Sequence, residues 1–199
     1  MTAIRNTGIF FLVAICCIAG CARQPPSLLS DHPYDPPLPP FSTPVTREEV
    51  RLAFYTYSAP AIVRKLLEGD AANWNMILDK IIEGDKDWII DATTFIAPGT
   101  DAAATTGLIA AMAYGLSKNP EAVLLQEVAG LGVSMLDICT MPFLEPTYEF
   151  VVSYGKETLA ALQQVDKPYL IDSRDTCIRR LRETLKYSEE VVAKGLWND

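Results

Sequence analysis

The chain predicts an all-α fold, either an orthogonal helical bundle or a short solenoid-like stack, of about eight helices with one disulfide. Three observations lead there. From Thr46 onward apolar residues recur at helical spacing, residues that start and stop helices separate the apolar stripes, and no segment sustains the strict alternation of a strand. The 199 residues are 49% apolar, 21% charged and 9% aromatic, the profile of one globular domain with appended segments. No internal repeat is visible, which leaves the solenoid as the lesser alternative.

The first segment is a targeting signal. Arg5 supplies positive charge, and Ile9 to Ile18 are ten consecutive apolar residues, too few for the roughly 20 that a membrane-spanning helix requires. Ile18-Ala19-Gly20-Cys21 follows, an aliphatic residue and two small ones before a cysteine, and here the chain resembles bacterial lipoproteins, whose lipobox has this form. The resemblance implies that residues 1–20 are a type II signal peptide cut ahead of Cys21. It also implies that Cys21 carries lipid, palmitate included, and that the mature protein is held on a membrane of the bacterial envelope, facing the periplasm. Ala22 stands where an aspartate would signal inner-membrane retention, so the outer membrane is the implied address. An ordinary cleaved signal peptide that happens to contain a cysteine is the alternative.

Residues 21–45 hold the lipidated cysteine and a tether. Eight of the fourteen prolines fall here, at positions 25, 26, 33, 36, 37, 39, 40 and 44. Proline fixes φ and removes a donor, so an extended, unpaired spacer of at most about 3.1 Å per residue is expected.

Residues 46–199 then read as the folded domain. Thr46-Arg47-Glu48-Glu49 is a capping box, opening a helix with Val50, Phe54 and Tyr57 on one face and an interruption at Pro60. Ile62, Val63, Leu66 and Leu67 carry the pattern to Gly69. Trp74, Ile77, Leu78, Ile81 and Ile82 form a stripe on a helix ended by Gly84. Trp88, Ile89, Ala92, Phe95 and Ile96 make a further short helix closed by Pro98-Gly99. Thr100 or Asp101 caps the next, an alanine-rich rod with Gly115 that neighbours can approach closely and that suits the centre of the bundle. Asn119-Pro120-Glu121 is cap, first-turn proline and dipole-matched acid in order. Ser134 opens a single turn into Cys139, and Thr140 to Pro146 is irregular. Tyr148 to Val165 is helical, with Val152, Leu159 and Leu162 inward. Ser173 caps a last helix bearing Cys177, Leu181, Leu185, Ser188, Val192 and Leu196 on one face. The stretch from Trp74 to Leu125 resembles uncharacterised helical lipoproteins of Gram-negative bacteria.

The lipoprotein resemblance implies that five cysteines reduce to two, with Cys16 and Cys17 leaving in the signal peptide and Cys21 carrying lipid. The remaining pair, Cys139 and Cys177, reads as a disulfide in an oxidising periplasm, with two free buried thiols as the alternative.

Composition also sets aside several functions. With 17 basic and 25 acidic residues the net charge is −8, so the positive surface that nucleic acid needs is missing. His32, the one histidine, lies in the proline-rich tether, which removes imidazole from any site in the folded domain. Gly132-Val133-Ser134-Met135-Leu136 begins like a nucleophile elbow but lacks its last glycine, its strand and its histidine, so helix capping is the better role for Ser134. Ser188-Glu189 reverses the glutamate-serine order of helical murein-cleaving enzymes. Zinc and nucleotide motifs are missing, so no catalytic residue, metal or cofactor is expected.

Two charge clusters remain. Glu68 to Asp91 contains seven acids against Lys80 and Lys86, and Asp79, Glu83 and Asp87, four apart, line one exposed ridge if their helix continues. They are the candidate partner-binding residues, for a cationic surface; a merely solvated face is the alternative. Arg174, Arg179, Arg180 and Arg182 gather near the start of the last helix, where Asp172, Asp175 and Glu183 are placed to offset them.

A lipid-anchored, acidic helical domain without a catalytic constellation is expected to bind rather than to catalyse. The first expectation is an immunity protein or inhibitor that occludes a cationic antibacterial toxin or envelope hydrolase. The second is a structural or assembly lipoprotein of a secretion, conjugation or envelope complex, and an envelope hydrolase with an unfamiliar site is the third.

Overall fold

The computed structural model describes residues 37–128 and 133–197. Cys21, the lipobox and most of the expected tether lie outside them. Among the described residues the protein is all-α, with no strand and with nine α-helices. They are α1 (Arg47–Phe54), α2 (Ala59–Leu66), α3 (Ala72–Ile82), α4 (Lys86–Asp91), α5 (Ala102–Lys118), α6 (Pro120–Val128), α7 (Met135–Ile138), α8 (Tyr148–Leu162) and α9 (Ile171–Ala193).

Helix starts follow side-chain chemistry. The Thr46 hydroxyl accepts from the Glu49 amide while the Glu49 carboxylate accepts from the Thr46 amide, the reciprocal pair that opens α1. Asp85 caps α4, Asp101 caps α5 and the Asn119 side chain accepts from the Ala122 amide at the start of α6. Two residues past α3, Gly84 turns the chain with a φ of +80°, the left-handed conformation that glycine adopts without a Cβ clash. After α4 the chain keeps coiling through a π-helical turn, Ala92–Ile96, and a 3-10 turn, Ala97–Gly99.

α5 is the central helix, packed by α3, α6, α7 and α8. Its small residues permit this: a Cβ built on Gly115 would lie 2.5 Å from the Ile81 carbonyl oxygen of α3, inside van der Waals contact. Around it the core is aliphatic, with Ile62, Leu66, Ile77, Ile81, Leu108, Met112, Leu116, Leu124 and Leu162 essentially without exposed surface. α1 and α2 pack beside α4 and the turns that follow it, and α9 packs along α8.

Three expectations shift. The C-terminal end of the proline-rich segment is docked, because Leu38 and Phe41 pack on the core, Val45 is buried and its amide donates to Asn73 Oδ1 at 2.9 Å. Ser173 does not cap α9: a 3-10 turn, Pro168–Leu170, runs into a helix already begun at Ile171. On α8 the buried face is Val151, Tyr154, Gly155, Thr158 and Leu162, which leaves Val152 and Leu159 half-buried.

Candidate functional site

α1 places Arg47 and Arg51 one turn apart on the same face, and that face meets the end of α4. Between them lies Asp91, whose side chain has no solvent exposure. Arg47 Nε donates to Asp91 Oδ2 at 2.6 Å, and Arg51 donates to Oδ1 from Nε at 3.0 Å and from Nη2 at 2.8 Å. Both carboxylate oxygens are thereby satisfied by charge-assisted bonds, the condition for holding an ionised aspartate away from water. Arg47 Nη1 also donates to Asp87 at the more exposed end of the cluster.

This clamp divides the expected acidic ridge. α3 ends at Ile82 and α4 starts at Lys86, so the helix on which Asp79, Glu83 and Asp87 would share a face does not continue. Asp79 is exposed on α3. Glu83 sits past the end of α3 and accepts from Lys80 Nζ at 2.7 Å. Asp87 is held by Arg47.

Further along the chain, Cys139 and Cys177 are bonded, with Cα atoms 5.2 Å apart. Both are buried, and the bridge fixes the end of α7 to the first half of α9. Ser134 occupies the N-cap position of α7 with an extended backbone, but its hydroxyl makes no capping hydrogen bond. Of the four arginines, Arg174 pairs with Asp175 and donates to the Val165 carbonyl at 2.8 Å, and Arg180 pairs with Glu183. Arg179 and Arg182 line an open groove of about 510 Å³ with Gln163, Ile178, Glu183 and Lys186.

The bridge also opens onto a feature that the sequence marks only as irregular chain. Residues 140–147 join α7 to α8 and are fixed on both flanks. Met141 is buried with φ 57°, and Phe143 packs its ring 4.6 Å from Tyr114, 5.0 Å from Phe150 and 4.8 Å from Tyr154. Thr147 then caps α8 by accepting from the Phe150 amide. The Tyr154 hydroxyl donates to the Ala113 carbonyl at 2.7 Å, and burial raises its pKa far above the ordinary phenol value. Between these anchors Leu144 is 87% exposed, followed by Glu145 with φ 45°. Two non-glycine residues in the left-handed region cost about 1 kcal/mol each, and the surrounding packing offsets that cost.

Among the described residues no group of three His, Cys, Asp or Glu side chains is placed to hold a metal ion, and no helix is long and apolar enough to cross a membrane. No family model, curated protein or solved structure matches the chain.

Proposed function

We propose that the protein is a lipid-anchored binding protein of the bacterial envelope, held by Cys21 on the outer membrane and facing the periplasm. In this reading its helical domain is an immunity protein or inhibitor that occludes a cationic toxin or envelope hydrolase, and it acts by contact rather than by catalysis. The order of parts along the chain carries the proposal: a lipobox, a proline-rich spacer, then a domain closed by a buried disulfide. A disulfide suits an oxidising compartment, and a lipid anchor raises the local concentration of an inhibitor where a toxin enters. An acidic protein of net charge −8 attracts basic partners and speeds their encounter. Asp79 remains exposed on α3 for such steering, whereas Glu83 is paired with Lys80 and Asp87 with Arg47.

One observation favours the assembly reading as the alternative. Two apolar side chains at this end of the chain face solvent, Tyr187 on α9 at 67% and Leu196 just past it at 65% exposure, and such side chains suit docking into a larger complex.

Two measurements test the proposal. In Triton X-114 partition the native protein should enter the detergent phase and Cys21→Ser should not; equal partition of both forms refutes the anchor. A strain deleted for the protein should be killed beside its toxin-secreting parent. Full survival, together with loss of a secretion or conjugation complex, would move the assignment to assembly.

A further inference from the structure

We infer that the 140–147 loop is the element that enters the partner, with Leu144 inserting into an apolar pocket rimmed by lysine or arginine on a secreted antibacterial protein. The inference rests on the immunity reading and names the contact within it.

The loop holds its leucine outward by construction. On one side the chain is fixed by the disulfide at Cys139 and by buried Met141; on the other, Thr147 starts α8. Phe143, the immediate neighbour of Leu144, is locked among three aromatic rings. Pro142 and Pro146 restrict the remaining backbone. A side chain 87% exposed on so constrained a loop loses little conformational freedom when a partner covers it, and preorganisation of this sort is what makes a contact strong.

Charge selects the partner. From Asn119 to Gly155 the chain has no lysine, arginine or histidine, and five acids: Glu121, Glu127, Asp137, Glu145 and Glu149. Glu145 and Glu149 are exposed and follow Leu144 in sequence, and Asp137 before it is exposed on α7. Two copies of this loop meeting face to face would bring like charges together, and an anionic membrane surface would be repelled. A basic-rimmed pocket is matched on both counts. The shape excludes an extended-substrate mode: the Phe143 amide donates to the Met141 carbonyl at 2.8 Å and Glu145 is left-handed, so the leucine is borne on a turn and not on a strand that a protease cleft could align.

The test uses full-length protein in the deletion strain, challenged by the toxin-secreting parent. Leu144→Asp should reduce survival to that of the deletion strain, and Leu144→Met should restore it, while both variants keep the wild-type melting temperature and lipid anchoring. Against a purified toxin, Leu144→Ala should weaken binding by about 30-fold, the loss expected for a central anchor. If the deletion strain is killed but Leu144→Asp protects as well as wild type, the loop assignment is overturned and the immunity reading stands. If the deletion strain survives, both fall.

Discussion

The two ends of the bundle solve the same packing problem with different chemistry. At the N-terminal end, α1 is a helix of eight residues, too short to hold its place by propensity, and it is pinned to α4 through Arg47, Arg51 and buried Asp91. At the C-terminal end, α7 is a single turn of four residues, and it is pinned to α9 by the Cys139–Cys177 bond, with the Tyr114, Phe143, Phe150 and Tyr154 rings alongside. Charge holds one end and a covalent bond the other, so the two should respond to different insults. Reductant should loosen α7 and the Leu144 loop while leaving α1 in place, and loss of the aspartate should do the reverse.

The largest effect is expected from the bridge. It closes 38 residues, and in the chain-entropy account its loss destabilises the fold by about 4 kcal/mol. A Cys139→Ala, Cys177→Ala double variant should show that drop in urea unfolding. Hydrogen exchange should quicken first in α7 and residues 140–147. Uniform quickening across α1 and α7 would mean that the ends are one cooperative unit, and the contrast between them would dissolve.

Asp91→Ala should come next. Breaking a buried pair is strongly destabilising, but the two arginine side chains left behind are 27% and 40% exposed and can rehydrate. A loss of about 3 kcal/mol follows, at the low end for such sites. Exchange should quicken in α1 and not in α9. A loss under about 1 kcal/mol would show that packing by Val50 and Ala53, not charge, holds α1.

Sequence made the first of these devices visible and hid the second. Cysteine pairing follows from counting and compartment, and the caps at Thr46, Asp101 and Asn119 follow from chemistry spanning three residues. The partners of Asp91 lie 44 and 40 positions away on another helix, and nothing local distinguishes a buried aspartate from the solvated acids around it. The same locality explains the misplaced ridge: spacing by four predicts one face only while a helix continues, and Gly84 ends it. Ser173 resembles a cap, but the 3-10 turn begun at Pro168 starts the helix before it. Leu144 was unreadable for the opposite reason, since irregular chain has no period from which exposure can be inferred. It shows only once Phe143 is seen to be locked in the aromatic cluster.

The smallest effect concerns Glu49 and separates charge from geometry at the N-terminal end. Its carboxylate accepts from the Ser42 hydroxyl at 2.6 Å, the Ser42 amide at 2.9 Å and the Thr46 amide at 2.8 Å, so it joins the docked end of the tether to the cap of α1. Those bonds, the Ser42 hydroxyl foremost, lower its pKa from 4.5 to about 2. A lowered carboxylate pKa stabilises the fold fully above the unfolded value, and the contribution fades as pH falls through the folded one. Glu49→Ala should therefore destabilise by about 1 kcal/mol at neutral pH, the usual value of a cap. The gap to wild type should narrow between pH 4.5 and about 2 and close below that. Glu49→Gln can still reach the Thr46 amide, as glutamine does in capping boxes, and should lose less while showing a flatter acid limb. A difference between wild type and Glu49→Ala that stays constant down to pH 2 would show that helix propensity, rather than the charged bonds to Ser42 and Thr46, sets the role of this residue. The disulfide double variant should keep the same acid limb, because the bridge has no proton to exchange over that range.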